Sequence, residues 1–219
     1  MLEYDFYGRT PLARLAFLGN EIDTAKAILE HCPETVNARG KFFGETPLLT
    51  AVSGGRAKAE FIELCIQYGA ELDATYSNGK NVLHCIANST NMEHLNVLKD
   101  KPGFPSVNSL TNDFQTPLHA VCMQGNSAAT LESRKKMAVW LLDNGARPFY
   151  KNASQRTPIE EAQAQGLAEL ADFIESYVPP HKQANTFLPM LNSLRSLHDN
   201  AVEPRISKNK NPSLRIVNF

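Results

Sequence analysis

Apolar residues in this chain recur at helical spacing, in pairs of short runs separated by polar turns. In the stretch DFQTPLHAVC, Leu118, Val121 and Cys122 fall on one side of a helix, and a second run, Met137 to Asn144, follows after a turn around Gly125. Thr116 stands where a helix start is capped, its hydroxyl placed to accept from the amide three residues on. Pro117 takes the first helical position, where its missing N–H costs nothing. The second run stops at Gly145, a position suited to a left-handed C-cap, and a polar extended loop follows. Thr157 and Glu160 have the spacing of a capping box. The pattern predicts helix, helix, loop.

That unit is copied along the chain. GRTPLARLA from Gly8, GETPLLTAV from Gly44, GKNVLHCIA from Gly79, FQTPLHAVC from Phe114 and QRTPIEEAQ from Gln155 align, and their second residues, Arg9, Glu45, Lys80, Gln115 and Arg156, lie 36, 35, 35 and 41 apart. Downstream partners recur too: CIQYGAELDA and WLLDNGARPFY each set an apolar helical turn before Gly-Ala. A fixed period of this length is the mark of a stacked array of supersecondary units.

The units resemble ankyrin repeats, whose T-P-L-H signature is intact at Thr116 to His119 and partial at Thr10 to Leu12, Thr46 to Leu48, Val82 to His84 and Thr157 to Pro158. The resemblance covers residues 4–178 and implies an all-α solenoid of five units, roughly 5–40, 41–75, 76–110, 111–151 and 152–178. It departs at Asn81-Val82, which replaces Thr-Pro, at the Pro-rich KPGFPSV after residue 100, and at about eight extra residues around SAATLESRKK in the fourth unit. Those extra residues are expected to enlarge the turn between that unit's helices.

The resemblance also implies a mode of action: binding another protein through a concave face and finger loops. Its usual contact positions fall on Phe6, Tyr7, Arg9, Phe17 and Leu18 in the first unit and on Phe42, Phe43, Glu45 and Ser53 in the second. Lys80, Asn88, Gln115, Met123 and Arg156 continue the stripe. Aromatics and Arg dominate interface energetics once a partner buries them. Resemblance to substrates of an asparaginyl hydroxylase makes Asn37 a candidate modification site, with Leu29 and Val36 in place and Thr35 where an acid is usual. The heterogeneous units and the tail are similar to ankyrin proteins that intracellular bacteria deliver into host cells. The regulatory portion of a larger enzyme is the alternative.

Composition narrows the chemistry. The chain has 219 residues, 42% of them hydrophobic, and a net charge of −1, which gives no general electrostatic case for nucleic acid. Charge is unevenly placed: from Pro179 onward six basic residues face two acidic ones, a surplus of four, whereas sixteen face twenty-one before it. No run approaches a transmembrane length, the start lacks a secretory signal's pattern, and four singly placed cysteines fit a reducing compartment. The expectation is a cytoplasmic monomer, in the host cytoplasm if it is an effector. On that expectation, the glycosylation sequons at Asn88 and Asn152 are chance. His119 three residues before Cys122 raises a thiol nucleophile with its base, or half a metal site. The resemblance instead makes His119, like His84, a bridge between adjacent units, and Cys122 a small buried hydrophobe. The other histidines, His31, His94, His181 and His198, show no ligand spacing, and no phosphate-loop or hydrolase motif is present. No enzyme activity, metal or cofactor is expected.

The last forty residues do not repeat. Phe187, Met190, Leu191, Leu194 and Leu197 share one face of a helix from about Thr186, within a linker-and-helix segment at 179–200, and a basic, proline-punctuated tail covers 201–219. The broad apolar stripe of LAELADFIESYV, from Leu167 to Val178, is expected to need this helix as a cap, because a terminal unit otherwise exposes the surface a neighbour would cover.

Overall fold

Five helices start with the same local chemistry. A capping side chain at Thr10, Thr46, Asn81, Thr116 or Thr157 accepts from the amide three residues on, at 3.1–3.4 Å. Glu160 completes the last of these caps by accepting from the Thr157 amide at 2.7 Å. The helices they open are α1 (Pro11–Leu18), α3 (Pro47–Gly54), α5 (Val82–Ser89), α7 (Pro117–Cys122) and α9 (Pro158–Ala164). Each is followed by a second helix: α2 (Ile22–His31), α4 (Ala59–Gln67), α6 (Met92–Leu98), α8 (Leu131–Asp143) and α10 (Ala168–Ser176). A 3₁₀ turn, Pro33–Asn37, follows α2. The computed structural model describes residues 3–19, 21–54, 57–123 and 129–177, all within one compact unit, Met1–Val178. Among them the chain is all-α, without a strand. The capping helix expected from Thr186 and the tail lie outside the described residues.

The first helices stack on one another in chain order, α1 on α3, α3 on α5, α5 on α7 and α7 on α9. The second helices form an outer layer, α2 with α4 and α6, and α8 with α10. The reason is visible in register. The position after each unit's proline site holds Leu12, Leu48, Leu83, Leu118 or Ile159, all buried between neighbours. One helical turn later come Ala16, Val52, Ala87 and Cys122, small enough to let the helices approach. Burying each large aliphatic contributes about 1.5–3 kcal/mol, so the core is built by repetition of one contact.

Turns knit the units a second time. At the tip of each turn the backbone takes a positive φ, at Gly8, Gly44, Gly79, Phe114 and Gln155. Consecutive turns are joined by main-chain bonds: Lys41 N–H to the Gly8 carbonyl, Ser77 to Phe43, Asn112 to Asn78 and Ala153 to Asp113, at 2.7–3.0 Å. Gly79 has no alternative here, since a Cβ would lie 2.7 Å from Asn112 Oδ1 as well as straining φ.

Two elements differ from the sequence expectation. α8 begins at Leu131, not Met137, because Thr130 caps it and Arg134, at a core-facing position, is buried by donating to the Val121 and Met123 carbonyls at the end of α7. Residues 131–136 of the fourth unit's insertion are therefore helix. The lengthened α8 packs on α10, whose Leu170, Ala171 and Ile174 are buried. Lys135 of α8 lies over the Phe173 ring, and Tyr177 donates to Asp143 Oδ1 at 2.9 Å. Leu167, Phe173 and Tyr177 of the same stripe stay half-buried, so the described residues cover it only in part.

Candidate functional site

The turns and first helices carry most of the predicted contact residues. At the first turn, Asp5 accepts from the Tyr7 and Arg9 amides and from Arg9 Nε, all at 2.9 Å, which fixes the guanidinium against two rings. Its centre lies 4.8 Å from the Tyr7 centroid and 4.3 Å from that of Phe17. These bonds and the Arg9 charge hold the Asp5 carboxyl below its usual range, against the opposing effect of burial. Phe6, 92% exposed, meets Tyr7 edge to face. Leu18 lines a groove with Tyr4, Leu15 and Ile28, which Asp5 and Arg9 also border.

The second turn presents two phenylalanines for different reasons. Phe42 packs against the Gly8 backbone, so close that a Cβ there would be 2.6 Å from its ring, yet 58% of it stays exposed, with Lys41 over the ring. Phe43, 61% exposed, instead forms a wall of a hollow of about 330 Å³. Ser53, Lys80, Asn88 and Met123 share that hollow, so side chains predicted from units two, three and four converge. Sequence reasoning missed the rest of the lining: Tyr76, Asn78, His84, Cys85 and Ala120. Tyr76 donates to Ser53 Oγ at 3.1 Å, and its burial pushes the phenol up from its ordinary value. Its signal in the sequence was an aromatic two residues before Asn78 in a turn otherwise made of small polar residues.

Other predicted residues are tied down. Glu45 was read as a contact position but is only 4% exposed, because its carboxyl packs into space that Gly40 leaves open. Gln115 gives its carbonyl to His84 Nε2 at 3.0 Å. Arg156 is paired through Nε with the buried Glu161 carboxylate at 2.8 Å. Asn37 uses its whole amide as a brace, donating to the Gly69 carbonyl and accepting from the Glu71 amide, both at 2.9 Å. Asn108 repeats that brace two units on, with Gly145 and Arg147. The Asn37 side chain, expected from sequence as a modification site, is thus engaged by the next unit.

In the histidine–cysteine pairs the imidazoles are bonded to backbone and the thiols are buried. His119 Nδ1 accepts from the Thr116 amide at 3.1 Å, which leaves Nε2–H to donate to the Arg156 carbonyl of the next unit at 3.1 Å. Both ring nitrogens are thereby committed to backbone, in the bridging geometry the sequence resemblance implies. Burial pushes the Cys122, Cys85 and Cys65 thiols up to about 12 each, the reverse of an activated thiolate. Among the described residues no group of three or more His, Cys, Asp or Glu is placed to hold a metal. None of the described helices is long and apolar enough to cross a membrane.

No protein-family profile matches the chain. Over 110 residues, half of its length, it is 30% identical to a protein of Macaca fascicularis described as ankyrin repeat domain-containing protein 53. The aligned segment spans 21% of that relative. The similarity suggests ankyrin-like repeats, and with them an interaction module, in a chain whose described part is all-helical.

Proposed function

We propose that this chain is a non-catalytic, ankyrin-type solenoid that binds another protein through the turn tips and first helices, the face such solenoids make concave. The observation that carries this reading is the hollow lined by Phe43, Ser53, Lys80, Asn88 and Met123. Three successive units contribute side chains to one recess, and the stacking that builds the core is what brings them together. Exposed aromatics on the first two turns, Phe6, Tyr7, Phe42 and Phe43, and Phe17 of α1 extend the surface. They supply the residue types that contribute most when desolvated by a partner. The buried, high-pKa cysteines and the backbone-bound histidines support a module without chemistry of its own.

The test is affinity capture with the full chain, followed by the same capture with Phe43→Ala combined with Met123→Ala. A partner held by the hollow is lost from the double variant by about thirtyfold in Kd or more, roughly 2 kcal/mol. The denaturation midpoint of the free chain should meanwhile move little. A partner retained at full affinity by the double variant would refute the assignment of this face.

A further inference from the structure

The hollow is chemically lopsided. Of its lining residues only Lys80 is charged near neutral pH, because burial holds His84 down at about 4 and pushes the Tyr76 phenol and the Cys85 thiol up. Lys80 is fixed at the root of its turn, its amide bonded to Asn78 Oδ1 at 3.1 Å and its carbonyl to the Tyr76 amide at 2.8 Å. Among the described residues its ammonium group takes part in no ion pair, whereas Arg9 and Arg156 on the same face are each neutralised by a carboxylate. The neighbouring turn adds Lys41, set over Phe42, and Arg39, which donates to the Gly44 and Thr75 carbonyls without a carboxylate partner. The acid of this stretch, Glu45, is buried against Gly40, near enough to Tyr76 for its charge to help push that phenol up, and it offsets one of these cations. A cationic strip with aromatic walls therefore sits on a body whose first 178 residues carry five more acidic than basic side chains.

Size and polarity define what fits. About 330 Å³ lies near the lower end of the ~300–1,000 Å³ span of ligand pockets, room for one or two side chains of a peptide. Phe43 and Met123 supply apolar wall, and Asn78 and Asn88 supply amides that suit a peptide backbone. We propose that the hollow receives an extended acidic–apolar peptide segment, with one carboxylate on Lys80 and an adjoining aliphatic or aromatic side chain between Phe43 and Met123. This rests on the interaction reading above and adds the chemistry of the partner.

A random dodecapeptide display library, selected on the full chain in about 0.15 M salt and sequenced, tests it. Selected peptides are then measured by fluorescence polarisation against the chain and its Lys80→Glu and Phe43→Ala variants, each checked for helicity. Expected are peptides enriched in Asp or Glu beside Leu, Ile or Phe, an affinity at least tenfold weaker for either variant, and weakening as salt rises. Peptides that depend on Phe43 but show neither acidic enrichment nor sensitivity to Lys80→Glu would overturn the acidic–apolar assignment and leave the interaction reading standing. Peptides insensitive to both variants would overturn the two together. Acidic peptides that bind equally well without any apolar residue would reduce the site to charge attraction and also overturn the proposal.

Discussion

At Phe114 and Gln155 the chain places a side chain where the equivalent turns hold Gly8, Gly44 and Gly79, with φ of 57° and 59°. The left-handed region costs a residue with a Cβ about 1–2 kcal/mol, and Gln155 is exposed with nothing evident to offset it. Gln155→Gly should therefore raise the urea midpoint by an amount equivalent to roughly 1 kcal/mol, less the extra freedom glycine has in the unfolded chain. Gly79→Ala should do the opposite and more strongly, since the new Cβ meets Asn112 as well as the strained φ. Equal midpoints for Gln155→Gly and the parent would show that the turn tolerates its side chain without strain. The turn tips were legible from sequence because five copies could be laid over one another, and the copies with Gly identify the backbone state of those without. Glu45 was not legible: its burial depends on Gly40, five residues earlier, leaving space for a carboxylate, and nothing in the period announces that.

Helices were easier to foresee at their starts than along their lengths. The Thr-Pro pairs and the Thr157–Glu160 box signal their caps within four residues, so α1, α3, α7 and α9 could be placed closely. The start of α8 was hidden because Arg134 interrupts the apolar stripe that would have revealed it, yet Arg134 is itself a core residue. Arg134→Ala should cost on the order of 1.5–3 kcal/mol, because the carbonyls of Val121 and Met123 lose a charged donor at the end of the short helix α7. Arg134→Lys, able to reach only as a point charge, should recover part of that loss. Thermal denaturation of the two variants checks both statements, and an Arg134→Ala midpoint equal to the parent's would contradict them.

Helices α5, α6 and α7 each bury a histidine that stays neutral when folded, and this sets an acid limit. Burial lowers His84 to about 4 and lowers His94 and His119 as well, while in the unfolded chain all three bind protons near 6.5. Below about pH 6.5 the unfolded state therefore takes up more protons, and stability falls as pH drops from there towards 4. His84 alone contributes on the order of 3 kcal/mol of this loss. The midpoint should be flat from pH 7 to 8 and decline steadily between pH 6.5 and 4.5, with a shallower decline in His84→Gln. A midpoint independent of pH across that window would mean the imidazoles are not buried as neutral groups.

At the scale of the molecule, the main helix packings among the described residues run within a unit or between adjacent units, so damage should spread by adjacency. His119→Ala removes the bond from α7 to the Arg156 carbonyl, and hydrogen exchange should rise first in α9 and α10 while α1 and α2 keep their protection. Uniform loss of protection across all ten helices would instead indicate a single cooperative body. The stack was readable from sequence because its period is, but the hollow was not, since it exists only where three units meet and no unit carries it alone.

The imidazole joints have one more consequence. His84 and His119 grip the main-chain oxygens of Gln115 and Arg156, and no atom of either outward side chain takes part in the grip. The same two positions belong to the contact stripe proposed above. Mutation of Gln115 can change the side chain presented there without loosening the joint beneath it, which is held by atoms that every amino acid possesses, whereas mutation of Arg156 also takes the guanidinium from the buried Glu161 carboxylate.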